Sequence, residues 1–108
     1  MSKLTKQARG EDCQVRQPLI CNHDRETTVC AHVRMIGYSG MGMKANDWFT
    51  AFACSACHDW IDGRSPSIDS YETRRLAHLE AVLRTQAIRL QRQHLLSEAL
   101  VVQNTENT

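Results

Sequence analysis

The clearest pattern lies in the last third of the chain. In YETRRLAHLEAVLRTQAIRLQRQHLL, Leu76, Leu79, Leu83 and Leu90 recur at helical spacing, and Val82 and Ile88 widen the stripe. Ser70, with Glu72 or Thr73 just behind it, is the matching N-terminal signal. Upstream, the short apolar run TVCAHVRMI predicts a strand. The loop GYSGMGMKAND follows, marked by three glycines and an Asn-Asp pair. WFTAFAC then resumes apolar character, and periodicity does not distinguish a strand from the entry to a helix. CSACHDWID predicts a helix ended by Gly63 and Pro66, since glycine is favoured just past a helix terminus and proline cannot continue it. The first thirty residues are polar and irregular. Past residue 96 the helical pattern fades, so the expectation is one domain over 1–96 and a polar, flexible tail over 97–108.

Composition narrows this picture. A chain of 108 residues with 42% hydrophobic and only 6% aromatic residues builds a modest core, the kind that often needs a metal or a second copy as a staple. A net charge of +1 means that any case for nucleic acid rests on local charge. The N-terminus MSKLTKQARGEDC lacks the apolar run of a secretion signal, and no stretch has the length of a membrane span. The expected compartment is the cytoplasm, where disulfides are rare and close-set cysteines more often hold metal or do redox chemistry.

There are five cysteines. Cys54 and Cys57 form a C-x2-C knuckle, a spacing at which two thiolates reach one tetrahedral Zn2+ from a tight turn. Cys13 and Cys21, on a looser loop, are the candidates to close the site. Cys30, inside the apolar run, reads as a small buried hydrophobe. A thioredoxin-like redox pair would want a strand–helix–strand context, which the residues before Cys54 do not supply.

If Cys57 opens a helix, His58 and Asp62 stand four apart on one face. They could hold a divalent ion with positions open to water and substrate. The plainer alternative is a solvated carboxylate beside a locally packed imidazole. His32 ends the predicted strand. It becomes a candidate general base only if that strand lies against the helix carrying His58. His23, His78 and His94 read as surface groups. Basic side chains suited to phosphate contact are Lys3, Lys6, Arg9 and Arg16 near the N-terminus, and Arg34, on the same strand face as His32. Others are Arg64 and Arg74, Arg75, Arg84, Arg89 and Arg92 along the last helix.

In ARGEDCQVR, CNHDRETTVCAH, CSACHDWID and RTQAI the chain resembles the small YbcO-type nucleases of lambdoid prophages, within the HNH or His-Me finger class. The likeness extends to about Gln91. It implies an α+β fold, a small zinc-stapled His-Me (ββα-metal) finger with an added C-terminal helix. It implies a metal-dependent endonuclease that hydrolyses DNA phosphodiester bonds in phage recombination or DNA processing. His32 would be the general base, with Asp47 or Asn46 orienting its ring. His58 would be a ligand of a catalytic Mg2+ or Mn2+, and Asp62 takes the place of a further ligand. Cys13, Cys21, Cys54 and Cys57 would be the structural zinc knuckle. Lys6, Arg9 and Arg34 would touch nucleic acid. One position departs from the pattern. HNH enzymes commonly have Asp or His just before the base, and here that residue is Ala31, which leaves the catalytic ion to His58 and Asp62. Two other readings share the zinc. One is a non-catalytic module that binds DNA or a phage recombination partner. The other is a domain whose last helix pairs in a homodimer through Leu76, Leu83 and Leu90.

Overall fold

The computed structural model describes residues 6–33 and 47–106, with side chains through residue 92. Lys3, Arg34 and Asn46 lie outside the described residues. Strand β1, Val29–His32, pairs antiparallel with β2, Thr50–Ala53, so that Val29 faces Ala53 and His32 faces Thr50. A 3-10 turn, Asp47–Phe49, leads into β2. Helix α1, Ser55–Ile61, follows at once, and helix α2, Tyr71–Glu106, closes the order. The described fold is thus α+β, a two-stranded hairpin backed by two helices.

WFTAFAC proves to be a turn followed by a strand. Its period was unreadable because all four residues of β2 are buried, so no polar face alternates with the apolar one. β1 covers one edge. The other is closed by side chain and loop: Phe52 donates its N–H to Thr85 Oγ1 at 3.0 Å, and the Gln14 N–H donates to the Phe52 carbonyl at 2.7 Å. Ala31, Ala51, Ala53 and Ala81 are fully or nearly fully buried, and their small size lets α2 lie close to the sheet. Trp60 and Phe52, both 0% exposed, supply most of the bulk of the core.

Helix α1 starts at Ser55. Cys54 caps it, its sulfur accepting the Cys57 N–H. Gly63, at φ +73°, ends it in the left-handed conformation that suits glycine. A side chain there would also collide with the Arg74 guanidinium, which packs against this turn. The Trp60 indole N–H is shared between Ser67 and Asp69 at 3.1 Å each, which pins the connection to α2. Ser70 caps α2 through the Thr73 N–H at 3.1 Å.

Two features of α2 differ from the sequence pattern. Its helical backbone runs to Glu106 with no break at residue 96, since no glycine or proline follows Pro66 to stop it. The leucine stripe is not the buried face either. Leu76, Leu83 and Leu90 are 58%, 65% and 62% exposed. The helix buries Ala81 and Val82 together with His78, Thr85 and Arg89. A helix that lies over strand edges meets backbone N–H and C=O groups, and those need polar partners rather than leucines. Among the described residues no helix is long and apolar enough to cross a membrane.

Candidate metal centre and active-site cleft

Helix α1 serves two sites. At its N-terminus, Cys54 and Cys57 meet Cys13 and Cys21, with all four sulfurs within 4.8 Å of one another. A tetrahedron of Zn–S bonds of about 2.3 Å places its sulfurs roughly 3.8 Å apart. The Cys21 and Cys54 sulfurs are separated by 3.8 Å. Backbone amides already point at this cluster, Arg16 N–H at Cys13 and Cys57 N–H at Cys54. Such dipoles favour thiolate over thiol. The Cys57 thiol donates to Cys13 and brings the Cys13 pKa down to about 4; the same bond pushes Cys57 up. Burial raises Cys21 to about 11. The loop from residue 13 to 23 bends through Arg16, Leu19 and His23, all at positive φ. Non-glycine residues in that region cost on the order of 1 kcal/mol each, strain that a surrounding structure must offset. Four thiols converging inside the core, with strained loop backbone beside them, fit a closed structural metal site such as zinc. Cys30 stands apart from the cluster and accepts from Arg89 at 3.5 Å.

Past the knuckle, α1 brings Asp62 to the wall of a cleft, with His58 one turn earlier on the same helix face. His58 Nε2 lies 3.3 Å from Asp62 Oδ2. Arg64 Nη2 lies 3.2 Å from that same oxygen, 3.0 Å from Asp59, and 3.5 Å from His58 Nδ1. A guanidinium only donates, so His58 accepts at Nδ1 and donates from Nε2. Across the cleft, His32 Nε2 lies 2.8 Å from Asp47 Oδ1, with both side chains about one-third exposed. The carboxylate fixes the proton on Nε2 and leaves Nδ1 as the acceptor. His32, Asp62, Arg64, Arg74, Arg75 and His78 all line this open cleft of about 550 Å³. Tyr71 joins them, its hydroxyl 3.4 Å from an Arg75 nitrogen.

The expected substrate contacts divide. Lys6 and Arg9 sit on the N-terminal segment, away from the cleft walls, and Arg9 pairs with Glu26 at 3.2 Å. Arg16 folds back onto the Cys13 carbonyl, Arg84 bonds the Gln14 carbonyl at 2.7 Å, and Arg92 pairs with Glu11 at 2.8 Å. Arg89 is buried, 6% exposed, and is not a surface group. His78 is not one either. It is 7% exposed, donates to the Ala31 carbonyl at 2.9 Å, and is held neutral mainly by burial, which lowers its pKa.

Residues 2–94 match the family described as "Putative nuclease YbcO". The chain belongs to the YbcO family. A relative from Escherichia coli strain K12, named "Putative nuclease YbcO", is 48% identical over 88 residues, which cover 82% of this chain and 91% of that one. A protein of Enterobacteria phage 82 with the same description matches equally well. Among solved structures, one described as "a putative bacteriophage protein" of the same E. coli strain superposes with a TM-score of 0.68. It is 41% identical and covers 82% of this chain and 96% of its own. The YbcO match spans both the cysteine cluster and the cleft. Within it, sequence reasoning missed His78 and Arg89 as parts of the interior. A signal did exist: with Thr85 they recur at spacings of seven and four, the helix face shared with Ala81 and Val82.

Proposed function

We propose that the chain is a metal-dependent DNA endonuclease of the His-Me finger class that acts in phage or prophage DNA processing. One observation carries the reading: His32, paired with Asp47 of the turn before β2, and Asp62, paired with His58 one helical turn earlier, line one cleft whose walls include Arg64, Arg74 and Arg75. The order hairpin then helix supports a ββα finger, and the cysteine cluster supports a zinc staple.

In this reading His32 is the base. Asp47 holds the Nε2–H, so Nδ1 takes a proton from water as the water oxygen bonds to phosphorus. The bond from phosphorus to the leaving 3′-oxygen breaks in line with that attack. Arg74 and Arg75 hold the flanking phosphates, with Lys6 and Arg9 in reserve for strand beyond the cleft; Arg34, outside the described residues, is proposed as a further contact from its sequence position alone. His58 and Asp62 would hold a Mg2+ or Mn2+. Their Nε2 and Oδ2 atoms lie 3.3 Å apart, and His58 would ligate through Nε2 only as the tautomer with its proton on Nδ1, which Arg64 would have to leave. A divalent ion there supplies Lewis-acid stabilisation of charge that develops on the phosphate. Ala31 offers no third ligand, so water and phosphate oxygens would complete the shell. Arg64, with its side chain 55% exposed, would swing from Asp62 toward phosphate as the ion enters.

Cleavage of plasmid or oligonucleotide DNA by zinc-loaded protein should require added Mg2+ or Mn2+. EDTA at levels that spare the zinc should stop it. His32→Ala should lower the rate by roughly 100-fold or more, the usual worth of a positioned base, and leave DNA binding intact. Excess metal should not rescue it. Wild-type protein that binds DNA yet cuts no form of it with either ion would overturn the reading. The second reading, a non-catalytic zinc module, would then hold. Its support is the arginine that already sits on the His58–Asp62 pair where a cation would go.

A further inference from the structure

Arg89 is the least expected side chain in the molecule. It is a cation at 6% exposure, and its Nε–H is buried with no acceptor among the described residues. Burying a guanidinium is costly even when it is well bonded. What surrounds it is specific. Both terminal nitrogens donate to Thr50 Oγ1 at 3.2 Å, one reaches the Asp47 carbonyl at 3.5 Å, and the other reaches the Cys30 sulfur at 3.5 Å. The flat cation stacks over Phe52 and Trp48, with centroids 5.0 and 5.7 Å away. Thr50 in turn donates to the Asp47 carbonyl at 2.6 Å. The contacts to Asp47, Trp48 and Thr50 fix the turn from Asp47 to Thr50, the turn that aims Asp47 at His32, and those to Cys30 and Phe52 tie it to the hairpin. About three turns earlier on the same helix, His78 holds the carbonyl of Ala31, the residue before His32.

We infer that Arg89 is a positioning residue for the His32–Asp47 pair. Helix α2 then works as a ruler, with His78 setting the end of β1 that carries His32 and Arg89 setting the turn that carries Asp47. Neither partner of the pair can drift without breaking bonds to one rigid helix. The 2.8 Å bond from His32 to Asp47 spans 15 residues of sequence, and this clamp gives it a fixed geometry that a surface turn would not keep. Cys30, two residues from His32 on the same strand face, joins the same guanidinium and couples the middle of β1 to the clamp.

The inference rests on the nuclease reading for its kinetic consequence but not for its geometry, so the test has two arms on zinc-loaded full-length protein. In the first, the ring nitrogens of His32 are followed by 15N NMR without DNA. Wild type should show the Nε2-protonated tautomer, and Arg89→Gln should show a mixture of both tautomers. In the second, Arg89→Gln should lower kcat for DNA cleavage by about 10-fold or more while KM changes by less than about 3-fold, the pattern of a misplaced base rather than of lost binding. Arg89→Lys keeps the cation and much of the packing but cannot bridge Thr50 and Asp47 in the same way. It should fall between the two in both arms, and it serves as the test should Arg89→Gln fail to fold. Substitutions that lower the melting temperature and leave the His32 tautomer and kcat unchanged would overturn the inference. If wild type cuts nothing while the tautomer still changes in Arg89→Gln, the clamp stands and only the nuclease reading falls.

Discussion

The cysteine cluster and the histidine cleft are built from one short helix, yet they are opposite kinds of site. Cys54 and Cys57, at its N-terminus, are 0% exposed, and four sulfurs close on a common centre. His58 and Asp62, further along it, keep side chains 30% and 39% exposed, and Asp62 lines the open cleft. A closed set of four soft ligands leaves no position for substrate and is suited to holding the chain together. If His58 and Asp62 hold an ion as proposed, two ligands at an exposed edge would leave most of its shell to water and phosphate, which suits turnover. In this reading burial would assign adjacent residues, Cys57 and His58, to separate tasks.

The sharpest way to break this contrast is at the sulfurs. Structural zinc sites in small domains are worth on the order of 10–16 kcal/mol, as much as or more than the roughly 5–15 kcal/mol by which such domains are stable. Cys54→Ser or Cys57→Ser should therefore lose the metal and unfold the chain, read as loss of about one zinc per chain by elemental analysis and loss of the cooperative melt. Cys30→Ala, outside the cluster, should keep the full zinc content. Zinc-free wild-type protein that still melts cooperatively would make the cluster an ordinary set of buried thiols.

The cleft should respond differently, with binding changed and folding kept except at Arg74, which also packs against the Gly63 turn and bonds the Trp60 carbonyl. Arg74→Ala and Arg75→Ala should each weaken DNA binding by about 3- to 10-fold, with a smaller salt dependence as a phosphate contact is lost. Arg9→Ala, whose side chain is engaged by Glu26 outside the cleft, should change it by less than about 2-fold, the usual scale for an exposed pair. Fluorescence anisotropy over a salt series measures both. Equal effects would move the nucleic-acid surface back toward the N-terminal segment.

The smallest expected effect is in pH dependence. Burial holds the His78 pKa below its ordinary 6.5, so folding favours its neutral form. The unfolded chain then binds the extra proton first. The contribution of His78 is fully present above pH 6.5 and fades as pH falls below it. Melting temperatures from pH 7.5 to 5.5 should therefore fall more steeply for wild type than for His78→Gln. Parallel curves would show that His78 does not titrate with folding.

Local sequence was enough to determine the features set within a turn or two. The Gly63 stop, the Ser70 cap and the shared face of His58 and Asp62 all follow from helix geometry, and each stands in the structure as the residues predict. Convergence of Cys13 and Cys21 on Cys54 and Cys57 was legible only from thiol chemistry, since spacing does not bring loops together. Tertiary structure alone decided the rest. Asp47 meets His32 across 15 residues. Leu76, Leu83 and Leu90 face solvent although they form a regular stripe, while His78, Thr85 and Arg89 are buried although they are polar. The physical reason is the surface that α2 covers. It lies over β2 and the ends of β1, where a backbone N–H, backbone carbonyls and the Thr50 hydroxyl need hydrogen-bond partners, and small alanines leave no room for leucine. A helical period in sequence tells which residues share a face. Which face turns inward depends on what the other element offers, and that is not written in the helix itself.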